Sequence, residues 1–176
     1  MPGRRRAHLG ISRTYQIITL FQRDTLLRNV TLALLGLSGL RWNPFVSLDR
    51  QHAFVGQARE VLARVALDHL AERPLAATSY GERRRVEIAM ALAQHPRVLL
   101  LDEPFAGLSI EERRDVLRLV TSIPRDVTIV MIEHDMDTAL DFAERITVLH
   151  FGQVVVEGTR AEVVAHPRTK EIYLGE

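Results

Sequence analysis

The chain has 176 residues, 47% hydrophobic and 26% charged, with a net charge of +1, the make-up of one globular domain with a real core. So even a balance supplies no basic face for nucleic acid, and the absence of cysteine excludes disulfides and thiolate metal sites. The longest uncharged apolar stretch, 29–40 between Arg28 and Arg41, falls short of the ~20 residues that span a bilayer, and Arg4, Arg5 and Arg6 precede no hydrophobic signal region; a soluble, cytoplasmic protein is expected.

The first element is the segment ISRTYQIITLF, whose β-branched and aromatic residues predict a strand and its exit. From Asp24 the pattern turns helical, with Leu26, Val30, Ala33, Leu34 and Leu37 at helix-face spacing and Gly36 and Gly39 loosening the end. RWNPFVS is a loop. A long amphipathic helix is expected over about 48–67, with Phe54, Ala58, Val61, Leu62 and Val65 on one side, and Pro74 closes the region. Beyond it, helix and strand alternate, which predicts parallel βαβ units. A helix over about 80–94 stops before Pro96, an all-apolar strand fills 98–101, and a helix over about 110–122 stops before Pro124. A second apolar strand, VTIVMI, ends at Glu133, His134 and Asp135. A short helix over 136–144 precedes a hairpin turning near Phe151 and Gly152, and a last short helix begins at Thr159. The fold class is α/β, with a mostly helical insertion over about 24–75.

Three helix starts, Ser79-x-x-Glu82, Ser109-x-x-Glu112 and Thr159-x-x-Glu162, match the capping box. For Ser109 and Thr159, capping is a sufficient explanation. Ser79 differs, because Gly81 lies in the first turn, where glycine costs roughly 1 kcal/mol against alanine. Either a neighbouring surface approaches the backbone there, or the helix start receives an anion such as phosphate. The strand VLLL has no polar face and reads as buried on both sides, yet it ends in Asp102 and Glu103. Adjacent carboxylates at a strand tip need a positive partner. In one reading Asp102 caps a turn and Glu103 is solvated. In the other, Asp102 holds Mg²⁺, which prefers carboxylate and water ligands, and Glu103 deprotonates a water. His134, at the equivalent end of the next strand, is structural in the first reading and part of a phosphoryl-transfer site in the second.

Gln16 in RTYQ, the SYGER stretch, VLLLDEPFAGLS and IEHDM resemble, in order and spacing, the Q-loop, signature, Walker B strand with D-loop, and switch histidine of ABC transporter nucleotide-binding subunits. The insertion, the tyrosine inside the signature and the closing VVVEGTRAEVVAHP resemble the branched-chain amino acid branch of that family. The resemblance implies an ABC ATPase core of the P-loop NTPase (RecA-like) class with a helical subdomain. Its divisions would be 1–23 for the Q-loop region, about 24–85 for the helical subdomain with the signature, about 86–158 for the Walker B and switch-histidine core, and 159–176 for the C-terminal helix and tail. It implies ATP and Mg²⁺ as cofactors. Gln16 would contact Mg²⁺ and the attacking water, Asp102 would hold Mg²⁺ through water, Glu103 would be general base, and His134 would contact the γ-phosphate. Ser79, Tyr80, Gly81 and Glu82 form the signature, with Ser79 and Gly81 capping the γ-phosphate of ATP bound on an opposite subunit. Gly107, Leu108 and Ser109 would cross that dimer interface. Thr78 and Glu82 depart from the family's usual leucine and glutamine, so Glu82 is expected to serve the capping box instead of the phosphate.

Partners implied by the resemblance are transmembrane permease subunits, met through the insertion, and a second ATP-binding subunit; no nucleic acid is implied. The chain would then lie at the inner face of the membrane, powering import of branched-chain amino acids or similar small solutes. The family's phosphate loop, G-x-x-x-x-G-K-[ST], is not found in the sequence, whose single lysine is Lys170. The expectation is therefore a chain that begins partway through the domain, lacks the phosphate-loop strand and helix, and leaves the strand at 127–132 as an exposed edge. The alternative function is a non-catalytic regulatory subunit that only completes a partner's ATP site.

Overall fold

The computed structural model describes residues 3–14, 20–43, 45 and 47–174. The chain divides into two compact units, Met1–Ile132 and Glu133–Glu176, each described separately.

The first unit is organised on a parallel sheet of three strands, β1 (Ile11–Arg13), β2 (Val98–Asp102) and β3 (Thr128–Ile132), in that spatial order. A short helix, α1 (Gly3–His8), leads into β1. Ile11 lies opposite Val98, Val98 opposite Thr128 and Asp102 opposite Ile132, so the tips of β2 and β3 end level. Leu99 and Leu101 on one face of β2 are 0% and 1% exposed, whereas Val98, Leu100 and Asp102 on the other are half-buried. The expectation of a strand buried on both faces is thus corrected, since among the described residues only one face is fully covered.

Between β1 and β2 the chain makes the helical insertion. Thr25 caps α2 (Leu26–Leu37) by accepting the Arg28 amide, and Leu26, Val30 and Leu34 form its buried stripe, as the spacing predicts. Its neck is closed by backbone bonds between entry and exit: the Leu75 amide donates to Asp24 (3.0 Å), Ala76 to Gln22 (2.9 Å) and Leu27 to Ala71 (2.9 Å). Asn29, fully buried, braces this neck by accepting the Phe21 amide (2.9 Å) and donating to the Phe21 and Thr25 carbonyls, which satisfies a polar group that would otherwise be costly inside. The expected helix over 48–67 is shorter than its pattern. A 3-10 turn, Leu48–Arg50, breaks at Gln51 before α3 (His52–Arg64). At the far end Ala66 takes a left-handed conformation (φ 55°), and the Leu67 amide returns to the Leu62 carbonyl at 2.9 Å. That reversal places Leu67, 0% exposed, in the core instead of on a fourth turn. Two further helices of similar length belong to the unit, α4 (Tyr80–Leu92) before β2 and α5 (Ile110–Thr121) after it.

The second unit contains α6 (Met136–Phe142), an antiparallel hairpin of β4 (Ile146–His150) and β5 (Gln153–Gly158), and α7 (Arg160–Ala165). Phe151 and Gly152, both at positive φ (46° and 73°), make the two-residue turn that matches strand twist. Ile146, Val148 and Val163 form its core, packed by Met136, Leu140 and Val156.

Among the described residues β3 is an outer strand, and its Val130 and Ile132 are 50% and 62% exposed. An apolar outer strand invites pairing between chains. Residues 1–176 expressed alone should self-associate, and Val130→Lys with Ile132→Lys should shift them toward monomer in size-exclusion light scattering. A monodisperse wild-type monomer would contradict this.

Candidate functional site

The level tips of β2 and β3 place Asp102 and Glu103 where the parallel strands end. Asp102 already has a cation beside it: Arg13 from the neighbouring strand donates to Oδ2 at 2.8 Å. The pair is partly solvated, with side-chain exposures of 50% for Arg13 and 23% for Asp102, so it adds little to stability. Its significance is positional: the contact sets the carboxylate at the strand tip beside a guanidinium from the neighbouring strand. Among the described residues no cluster of three or more histidines and carboxylates could enclose a metal. Mg²⁺ does not need one, since it binds through one or two carboxylates, waters and phosphate oxygens. Asp102 fits that role, with Arg13 the competing cation.

Glu103 leaves the strand at φ 43°, a left-handed conformation that costs of order 1 kcal/mol or more for a side-chain-bearing residue. Three backbone contacts hold it. Its amide extends the ladder to the Ile132 carbonyl (3.0 Å), and its carbonyl accepts the Ala106 amide (3.2 Å) and the Arg84 guanidinium (3.1 Å). Arg84, on the second turn of α4, is 0% exposed. Its other nitrogen donates to Glu87 Oε2 at 2.7 Å, a pair with side chains 1% and 9% exposed. A buried charge keeps its place only when paired and hydrogen-bonded, and the planar guanidinium can serve two acceptors at once.

The start of α4 is built from two interlocked capping boxes. Ser79 Oγ accepts the Glu82 amide (3.2 Å), and Glu82 Oε2 accepts the Ser79 amide (2.7 Å), so Glu82 serves the cap. Glu112 does the same at the start of α5 with one oxygen, Oε2, which accepts the Ser109 amide at 3.1 Å. Its second oxygen, Oε1, crosses to α4 and accepts both the Gly81 amide (2.9 Å) and the Ser79 hydroxyl (3.0 Å). That approach explains the glycine, because a Cβ on Gly81 would lie 2.5 Å from Glu112 Cγ. The first reading of Gly81 is thus met: a surface approaches closely, and it is the Glu112 side chain. The Ser109 amide first, then the Gly81 amide, hold the Glu112 carboxyl below its ordinary range, with partial burial opposing them. Gly107, at φ 73°, lies under the Tyr80 ring, whose Cε1 would be 3.5 Å from an added Cβ.

Of the residues singled out in the sequence, Ser79, Tyr80, Gly81, Glu82, Asp102 and Glu103 all belong to the first unit, with α4 tied to the exit of β2 through Arg84. Gln16 lies outside the described residues. His134 belongs to the second unit, exposed, two residues after the end of β3. Sequence reading missed Arg13 and Arg84, and it saw only half of Glu112, since a capping box predicts one oxygen and not the other. The first-turn glycine was the available signal that something approaches.

Comparison with known proteins gives a consistent result. The family profile described as ABC transporter matches residues 3–106. The high-affinity branched-chain amino acid transport ATP-binding protein BraF of Pseudomonas aeruginosa is 33% identical across all of this chain, which spans 72% of that protein. LivG of Escherichia coli K12, with the same description, is likewise 33% identical with 72% spanned. Among solved structures, the ADP conformation of MJ1267, an ATP-binding cassette of an ABC transporter, superposes with a TM-score of 0.79 at 29% identity, covering all of this chain and 72% of that one. The dimeric post-hydrolysis state of the cassette MJ0796, bound to ADP and Pi, gives 0.72 at 28% identity, covering 89% and 65%.

The Glu112 contact has a measurable signature. In a carboxyl-carbon NMR titration Glu112 should ionise below the usual glutamate range. A depressed folded-state pKa contributes stability above the unfolded pKa and loses it as pH falls through the folded one. Glu112→Ala should displace the Gly81 amide resonance and remove that acid-side increment. An ordinary Glu112 titration, or an unmoved Gly81 resonance, would refute the contact.

Proposed function

Because the chain belongs to the ABC transporter family, whose ATP-binding members are ATPases, we propose that it serves as an ATP-binding subunit powering import of branched-chain amino acids or similar small solutes. The similarity to BraF and LivG supports that substrate class. The observation that carries the catalytic part is the arrangement at the exit of β2, where Asp102 and a backbone-clamped Glu103 stand together. In this reading Asp102 holds Mg²⁺, which when bound offsets charge on the phosphates. Glu103 takes the proton from the attacking water, His134 contacts the γ-phosphate, and Gln16 contacts Mg²⁺ and that water. Ser79 and Gly81 offer a hydroxyl and an amide to the γ-phosphate on an opposite subunit, with Tyr80 and Glu82 shaping that helix start. The dimeric structure of MJ0796 supports a paired arrangement.

The domain reading follows the same family: residues 1–176 would belong to one ATPase domain, with the helical subdomain over about 24–85. No described helix is long and apolar enough to cross a membrane, so attachment at the inner membrane face would run through permease subunits. On the insertion, Trp42 and Phe45 are 70% and 92% exposed, large apolar side chains that suit such a docking surface.

In a transporter assembled with its partner subunits, Glu103→Gln should preserve nucleotide binding while steady-state turnover falls about 10²–10⁴-fold, the range of a general base. His134→Ala should lower turnover too. Full ATPase activity in the Glu103→Gln assembly would remove Glu103 from this role.

A further inference from the structure

We propose that Arg84 is a positioning residue for catalysis, acting by holding the Glu103 backbone in its left-handed conformation. The inference rests on the reading of Glu103 as general base. Glu103 stands at φ 43°, where a glutamate does not stay without external restraint. Its amide is fixed by the Ile132 carbonyl on β3 (3.0 Å), a bond that continues the sheet. Its carbonyl accepts the Ala106 amide within the turn (3.2 Å) and, from another element, the Arg84 nitrogen on α4 (3.1 Å). The peptide units on either side of the Glu103 Cα are thus anchored to two different elements, which defines both dihedrals of the residue that carries the base.

Arg84 is itself immobilised. It is 0% exposed, and its second arm is taken by Glu87 at 2.7 Å. Glu87 is one turn along the same helix, so the pair sets the guanidinium plane without help from solvent. A lysine could satisfy Glu87 or the Glu103 carbonyl, but it has no rigid fork to span both. An arginine retained in the core only for stability would be hard to explain, because a buried ion pair is often replaceable by apolar residues at little cost. Its contact with the strained residue supplies the reason. It also makes α4, the helix that starts at Ser79 and Gly81, the support of Glu103. A shift of α4 would reach the base through one hydrogen bond.

The test uses the assembled transporter and five forms of this chain: wild type, Glu103→Gln, the double variant Arg84→Met with Glu87→Leu, the combination of all three changes, and Arg84→Lys. The double variant leaves no lone buried charge, so it should fold. Its turnover should fall roughly 10–100-fold, as expected for a base misplaced by an ångström or so, with KM for ATP unchanged. In the Glu103→Gln background the same two changes should have no further effect, because the group they position is already gone. Arg84→Lys should recover only part of the loss. Undiminished turnover in the double variant would overturn the proposal, as would a loss that multiplies with Glu103→Gln, since Arg84 would then act elsewhere. If Glu103→Gln alone leaves turnover intact, the general-base reading fails first and the inference with it. On residues 1–176 alone, the double variant should displace the Glu103 and Ala106 amide resonances relative to wild type. An unmoved Glu103 resonance rejects the proposal without any activity assay.

Discussion

The structure of the first unit turns on one constraint: Glu103 leaves the central strand in a conformation that its side chain disfavours, and its neighbours hold it there. β3 supplies one restraint through the Ile132 carbonyl, the Ala106 amide supplies a second within the turn, and α4 supplies a third through Arg84. Strain of this kind persists only where the surroundings over-determine it. The buried Arg84–Glu87 pair and the level ends of β2 and β3 stand behind these restraints.

The same unit carries two charged positions that its own side chains already satisfy. Arg13 stands against Asp102 at 2.8 Å. Glu112 stands against the Ser79 hydroxyl and the Gly81 amide. Neither contact is deeply buried, so each is the weak, exchangeable kind of ion pair or charge-assisted bond that an incoming ligand of like charge can replace. The helix starts of α4 and α5 share one carboxylate, which links Ser79 and Gly81 to Ser109 through a single side chain.

Much of this was legible in the sequence because local rules govern it. All three capping boxes form as their spacing requires, the hairpin turns at Phe151 and Gly152, and the apolar runs become adjacent parallel strands. What sequence could not supply is partnership across the chain. Arg84 lies in a run of three arginines that looks like a solvated face, yet it is the one wholly enclosed, while Arg83 reaches back to the Thr78 and Ala76 carbonyls. Arg13 gave no hint of Asp102, 89 positions away. The helix over 48–67 was overextended because periodicity continues through Gln51 and Ala66, where the backbone departs from helical geometry. Periodicity reports which residues want burial, not where the chain turns to bury them.

The central claim is that α4 and the exit of β2 form one cooperative piece joined through Arg84. Native-state amide hydrogen exchange of residues 1–176 tests it most directly, because it reads the opening free energy of each amide separately. The amides of Glu103 and Ala106 should open together with those in the middle of α4, Val86 to Ala89, at a common free energy. Exchange of Glu103 at the rate of an open loop, while the α4 amides stay protected, would show that the turn is not held by the helix and would contradict the account.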